Sequence, residues 1–226
     1  MSDIRHQLEI IRDQISTAAR QSGRSSDAIK LLAVSKTYAS SIIEKAYAEG
    51  QVLFGENRVQ ELLEKVPQLP SELQWHLIGH LQKNKIRKIL PLIHTIHSID
   101  SLSIADSVNR IAGELNLKIP IYLQVNISHD QAKFGFPPAD APAALDHLQN
   151  LPHLQIQGLM TIPEYSADPE QTRPHFASLR DLRNQLKTSS GLPLPGLSMG
   201  MSHDYPIAIQ EGATIIRVGS ALFGKR

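Results

Sequence analysis

The sequence contains no cysteine, and this absence excludes disulfide bonds, thiolate metal ligands and cysteine nucleophiles. It also contains no apolar run that approaches the ~20 residues of a membrane-spanning helix. The N-terminus is polar and charged, and no apolar stretch follows it that would indicate a secretory signal. We therefore expect a soluble, cytoplasmic protein without a membrane partner.

Neither sign of charge is in excess, since 23 Lys and Arg are balanced by 22 Asp and Glu. Such a chain has no overall field that would attract nucleic acid, and we expect no nucleic-acid partner. The basic run at 83–88 lacks interleaved aromatic residues and is interpreted as a solvated helix face, although it could dock an acidic partner. The 226 residues, 41% of them apolar, suffice for one large core, and neither repeats nor a linker divide residues 1–226.

Short apolar runs alternate with stretches of helical spacing along the whole chain. An N-terminal helix, capped by Ser2 or Asp3, precedes the first run. Strands are predicted at 31–34, 52–54, 74–78, 93–97, 120–127, 154–160, 194–199 and 213–218. Eight strands in strict alternation with helices predict an α/β fold, a single-domain (β/α)8 TIM barrel with an extra N-terminal helix. The alternative is an open doubly wound sheet, which usually has a Gly-rich turn after its first strand. In this chain the corresponding turn is residues 35–38, Ser-Lys-Thr-Tyr, which contains no glycine.

Lys36 follows the first predicted strand, at the end of the barrel where active sites are built. It shares strand parity with Leu32 and Val34, so if they point into the barrel the lysine does too. Burying an ammonium group is costly, and the neutral amine is a nucleophile toward aldehydes. The alternative is an ordinary surface lysine with its amine in solvent.

Small residues follow the last two predicted strands: Gly200 and Ser202 after the seventh, and Gly219, Ser220 and Gly224 after the eighth. Such residues expose backbone N–H groups, and barrels often bind a phosphate in these two loops. The glycines could also simply form tight turns. An amine and a phosphate site on one rim together suggest pyridoxal 5′-phosphate (PLP) as the cofactor.

Arg217 lies within an otherwise apolar strand, where a permanent charge needs a buried acceptor. A carboxylate on a neighbouring strand would make this arginine structural. A functional arginine would instead donate to the pyridine nitrogen of the cofactor and hold it unprotonated, which makes the ring a weaker electron sink than an Asp would.

Several ordered motifs resemble the pyridoxal phosphate homeostasis protein family, and the match extends from about residue 4 to the end of the chain. They are LLAVSKT (31–37), FGENRVQE (54–61), WHLIGHLQKNK (75–85), GLM (158–160), LSMGMSHD (197–204) and RVGSALFG (217–224).

This resemblance implies a barrel similar to the N-terminal domain of alanine racemase, with PLP held as a Schiff base on Lys36. It also implies phosphate contacts from Ser198, Gly219 and Ser220. Arg217 would face the pyridine nitrogen, and Asn57 and Met160 would line the ring. Members of the family act in vitamin B6 and amino-acid homeostasis without an established reaction. We accordingly expect a monomeric PLP carrier, not an enzyme, whose partners are PLP and apo forms of PLP-dependent enzymes.

Two enzymatic functions and a metal site are the alternatives to a carrier. An amino-acid racemase with weak activity would need a base on each face of the ring, and Lys36 could serve only one. A Schiff-base aldolase usually has its lysine on a later strand, and the sixth predicted strand has none. A metal site at His76 and His80, near His94 and His97, lacks carboxylates or a shared helix face, and we expect no metal.

Overall fold

The computed structural model describes residues 3–128, 130 and 133–224, in which eight strands alternate with helices. The strands are β1 (Lys30–Val34), β2 (Leu53–Glu56), β3 (Gln74–Leu77), β4 (Thr95–Ile99), β5 (Ile119–Gln124), β6 (Leu154–Met160), β7 (Gly196–Met201) and β8 (Ile215–Val218). The helices are α1 (Ile4–Gln21), α2 (Ser40–Ala48), α3 (Val59–Lys65), α4 (Ile86–Ile89), α5 (Leu102–Glu114), α6 (Ala141–Gln149), α7 (Arg173–Ser190), α8 (Tyr205–Gln210) and α9 (Ser220–Phe223). In this part of the chain no helix is both long and apolar enough to cross a membrane.

The eight strands form one closed barrel in the order β1 to β8, and every neighbouring pair is parallel. The barrel closes where β1 pairs with β8, with Leu32 opposite Arg217. This closure confirms the predicted (β/α)8 barrel and excludes the open doubly wound sheet.

The N-terminal helix α1 is amphipathic and lies outside the barrel. Its buried face carries Leu8, Ile11 and Ile15, and it packs against α8 and α9. The Asp3 carboxylate accepts a hydrogen bond from the backbone N–H of Arg5 and thereby caps the helix. Asp3 is one of the two caps that the sequence predicts. The other predicted cap, Ser2, lies outside the described residues.

Alternation along the strands divides the core into two layers. Leu32 and Val34 belong to a small cluster inside the barrel, whereas Ala33 belongs to the large cluster between barrel and helices. The inner cluster also contains Leu53, Ile78, Tyr122, Met160 and Ile215. Leu32 and Val34 therefore point into the barrel, which is the condition under which strand parity directs Lys36 inward.

Some strands differ from their predicted bounds by a few residues. The strand predicted at 93–97 is found at Thr95–Ile99, and a 3₁₀ turn (Leu90–Leu92) precedes it. The strand predicted at 120–127 ends at Gln124, after which Val125 forms an isolated bridge to Phe136. These shifts leave the carboxyl ends of all eight strands at one rim, where the candidate site lies.

Candidate functional site at the mouth of the barrel

A cavity of about 510 Å³ opens at the carboxyl ends of the strands. Five of the predicted site residues line it: Lys36, Asn57, Arg217, Gly219 and Ser220. The other two, Met160 and Ser198, are fully buried in the barrel and are not part of the lining. The barrel therefore brings most of the predicted residues to one space, although they come from distant parts of the chain.

Lys36 reaches the cavity from the turn that follows β1. The turn is closed by a hydrogen bond from the backbone N–H of Tyr38 to the carbonyl of Ser35, at 3.1 Å. The side chain is half-buried and lies beside Val34, which belongs to the inner layer. This is the direction that strand parity predicts.

Arg217 is the buried cation of the site, with 3% of its surface exposed. Its Nη1 donates to Ser198 Oγ and its Nη2 to the carbonyl of Thr161, both at 2.8 Å. No carboxylate in the described residues contacts the guanidinium. The carboxylate on a neighbouring strand that would make this arginine structural is therefore not found there. Burial lowers the pKa of Arg217 to about 10, and the charge of Asp204 opposes that shift. The arginine remains charged near neutral pH.

A chain of neutral groups extends from Arg217 deeper into the barrel. His97 Nδ1 lies 2.8 Å from Ser198 Oγ, and His97 Nε2 lies 2.8 Å from His76 Nδ1. Burial lowers the pKa of His76 to about 3 and that of His97 well below its usual value. In a consistent arrangement of protons, Ser198 accepts from Arg217 and donates to His97, which donates to His76. Both histidines are therefore neutral and orient Ser198 toward Arg217.

Sequence reasoning did not identify His97 or Thr161 as part of the site. His97 lies in β4 between Ile96 and Ser98, and this strand also contains Thr95, so His97 does not stand out there as Arg217 does in its apolar strand. Thr161 takes part through its backbone carbonyl, and this kind of contact leaves no trace in the residue type.

The loops after β7 and β8 meet at the hydroxyl of Ser202. This oxygen accepts hydrogen bonds from the backbone N–H groups of Gly219, at 3.1 Å, and Ala221, at 3.3 Å. Ser220, between them, also lines the cavity. Backbone donors and hydroxyls thus gather where the glycine and serine pattern predicts a phosphate site.

Asn57 supplies an acceptor that lacks a donor. Its Oδ1 is buried and has no hydrogen-bond partner among the described residues. The loop that carries it passes close to Gly79, where an added Cβ would lie 2.1 Å from the carbonyl oxygen of Asn57. Only glycine fits there, so the position of Asn57 is fixed by packing. A buried amide oxygen without a donor is a feature that a bound ligand can satisfy.

His76, His80 and His94 each contact a protein group. His80 pairs with Asp100 at 2.6 Å, and His94 accepts from the backbone N–H of Trp75. His76 faces His97 inside the barrel. Throughout the described part of the chain, no group of three or more possible metal ligands converges.

The groups around the cavity suit a flat, phosphorylated aromatic aldehyde. Lys36 provides a primary amine, Arg217 a cation, and the hydroxyls of Ser202 and Ser220 can donate to a phosphate. Val34, Ile78 and Ile162 supply apolar contact area. Tyr165 and His203, which the sequence did not single out, also line the cavity, and their rings are 5.3 Å apart.

Comparisons with known proteins agree with this geometry. Residues 7–226 match the family described as the alanine racemase N-terminal domain. The chain is 40% identical over 220 residues to a pyridoxal phosphate homeostasis protein of Aquifex aeolicus, across 97% of this chain and 96% of that one. The structure of PipY of Synechococcus elongatus with PLP bound has a TM-score of 0.87 at 42% identity, across 98% of this chain and 100% of that one. An alanine racemase of Clostridium difficile has a TM-score of 0.78 at 17% identity, across 100% of this chain and 60% of that one, and shares the fold.

Proposed function

Because this chain belongs to the alanine racemase N-terminal domain family and, within it, to the pyridoxal phosphate homeostasis proteins, we propose that it binds PLP at the barrel mouth. Its role is to hold PLP and hand it over, in vitamin B6 and amino-acid homeostasis. The observation that carries the proposal is the buried Arg217, which has no carboxylate in contact among the described residues and shares a cavity with the Lys36 amine. The PLP-bound PipY structure supports the same ligand.

Each part of the cavity has its own role in the proposal. When bound, the cofactor supplies an aldehyde that condenses reversibly with a primary amine and releases water. Lys36 is the amine that forms this Schiff base. Gly219 and Ser220, together with Ser202, bind the phosphate, and Asn57 lines the ring with Met160 behind it.

Arg217 and Ser198 act together at the pyridine nitrogen. A guanidinium donates a hydrogen bond there without giving up its proton, so the ring nitrogen stays unprotonated. Such a ring withdraws electrons weakly, which suits storage better than carbanion chemistry. The resemblance implied that Ser198 contacts the phosphate, but its hydroxyl is engaged by Arg217 and His97. We therefore assign Ser198 to the orientation of Arg217.

A carrier is favoured over a racemase. The relatives at about 40% identity are named homeostasis proteins, whereas the alanine racemases share only 16–18% identity and so agree in fold alone. Our proposal is a cytoplasmic monomer, one domain over residues 1–226, that passes PLP to apo forms of PLP-dependent enzymes.

Loading the protein with PLP tests the proposal. We expect an absorbance band at about 420 nm, and borohydride reduction should place the pyridoxyl group on Lys36 in a peptide map. Lys36→Ala should remove the label from this peptide and weaken binding at least about tenfold, because the covalent bond is lost. Lys45→Ala, at an exposed lysine of α2, is the matched control and should behave like the wild type. A wild-type protein that stays colourless, or a label on Lys45, would contradict the proposal.

A further inference from the structure

A second buried polar cluster lies on the outer side of the barrel wall, directly behind Lys36. We call it the outer cluster: Ser35, Glu56, Glu61 and Lys65. The Lys65 ammonium is 7% exposed and bonds Glu56 Oε1 at 2.8 Å and Glu61 Oε2 at 2.7 Å. Glu56 ends β2, while Glu61 and Lys65 lie one turn apart on α3. Strand parity directs Ser35 and Glu56 outward, toward α3, and Lys36 inward.

Two contacts of this cluster go to backbone atoms. Lys65 Nζ donates to the carbonyl oxygen of Ser35 at 2.8 Å, and the backbone N–H of Thr37 donates to Glu61 Oε2 at 2.6 Å. The first atom belongs to the peptide group before Lys36, and the second belongs to the peptide group after it. The two peptide planes that meet at the Lys36 Cα are thus each held by a charged side chain.

The backbone of Thr37 is in an unfavourable conformation, which gives the second contact a role. Its φ is 66°, in the left-handed region, which is unfavourable for a β-branched residue. A charge-assisted hydrogen bond from its N–H to a carboxylate is strong enough to offset that strain. A salt bridge that served only to stabilise α3 would need neither this contact nor the one to Ser35.

We propose that Glu61 and Lys65 are positioning residues for Lys36, which fix the two peptide planes around its Cα so that its amine faces the cavity. The inference rests on the proposed function, since it presumes that Lys36 is the residue that bonds PLP. It adds the residues that orient this lysine, Glu61 and Lys65, which do not line the cavity.

The test compares two ligands. PLP bonds the amine, whereas pyridoxine 5′-phosphate has the same ring and phosphate but a hydroxymethyl group that cannot. Glu61→Ala should weaken PLP binding about tenfold, because it removes one charge-assisted hydrogen bond. Its affinity for pyridoxine 5′-phosphate should stay within about twofold of wild type. Glu64→Ala, at an exposed carboxylate of the same helix, is the control and should change neither affinity.

A rescue distinguishes positioning from general stabilisation. Asn enters the left-handed region more readily than Thr, so Thr37→Asn added to Glu61→Ala should recover most of the lost PLP affinity. Should Glu61→Ala fail to fold, Glu61→Asp, which withdraws the carboxylate by one methylene, is measured in the same way.

The outcomes separate the two claims. If the wild type prefers PLP but Glu61→Ala binds it equally well, or loses both ligands alike, the positioning role is wrong and the proposed function stands. If the wild type binds neither ligand, the proposed function fails. If it binds both equally and no label reaches Lys36, PLP binding stands but the Schiff base on Lys36 is wrong, and this inference fails in either case.

Discussion

Two buried polar clusters lie on opposite sides of the barrel wall near Lys36, and they differ in the groups that contact their cation. In the outer cluster a cation meets two carboxylates, since Lys65 pairs with both Glu56 and Glu61. The inner cluster, which consists of His76, His97, Thr161, Ser198 and Arg217, surrounds its cation with neutral groups only.

The difference indicates what each cluster is for. The outer cluster places carboxylates in contact with its cation, and two of its hydrogen bonds involve backbone atoms on either side of Lys36, so it serves geometry. Burial raises the pKa of Glu56 although Lys65 and Ser35 donate to it. Burial would also raise the pKa of Glu61, but hydrogen bonds from Lys65 and Thr37 outweigh it and lower that pKa. The inner cluster leaves one positive charge without a counter-charge in contact, and a ligand with an acceptor atom can use it.

Removing the outer cation should give the largest effect on stability. Lys65→Met leaves Glu56 buried without its counter-ion, and we expect the free energy of unfolding to fall by about 3–5 kcal/mol. Adding Glu56→Gln removes the uncompensated charge and should restore a large part of this loss. Urea unfolding of both variants, with Lys88→Met at an exposed lysine as control, measures the effect. A loss below about 1 kcal/mol would mean that the cluster behaves like an exposed ion pair.

Removing the inner cation should affect binding more than folding. Arg217→Met replaces a charge that has no carboxylate partner in the described structure, so the unfolding free energy should change by less than about 2 kcal/mol, mainly from the hydrogen bonds lost at Ser198 and Thr161. The affinity for PLP should fall by about 2 kcal/mol, or roughly 30-fold, because the donor to the ring nitrogen is lost. Urea unfolding without ligand and a PLP titration separate the two quantities. If Arg217→Met destabilised the protein as strongly as Lys65→Met, the contrast between the clusters would be wrong.

The two clusters also differ in how far the sequence could predict them. Arg217 stood out because a charge interrupts an apolar strand, and Lys36 because its parity matches Leu32 and Val34. Both signals depend on the period of two along a strand, which a barrel preserves. The glycines and serines after the last strands predicted a group of donors, and the loops do meet at Ser202.

The outer cluster gave no such signal. Glu61 and Lys65 are four residues apart on a helix, a spacing typical of exposed ion pairs. Only the packing of α3 against the ends of β1 and β2 buries them, and packing of this kind depends on the whole barrel. Ser198 illustrates the same limit, because its neighbours in sequence do not reveal that it contacts Arg217 and His97.

Acidification offers the smallest and most selective test, because it acts with opposite sign on His76 of the inner cluster and Glu56 of the outer cluster. Burial lowers the pKa of His76 from 6.5 to about 3, so the folded protein keeps this ring neutral while the unfolded chain takes up a proton below about pH 6.5. Stability is therefore unaffected above that pH and is lost progressively as the pH falls toward 3. Between pH 7.5 and 5.5 the loss from this one ring is about 1 kcal/mol. The raised pKa of Glu56 works the other way, since the folded state then binds its proton more readily.

His76→Asn isolates the contribution of the ring, because the amide can still accept from His97 but does not titrate. Urea unfolding at the two pH values should show the wild type losing about 1 kcal/mol more than the variant, whatever the carboxylates contribute to both. Equal losses would mean that the folded protein admits a proton at His76. A protonated ring there would add a second positive charge beneath Arg217, and the inner cluster could then no longer be a set of neutral groups around one available cation.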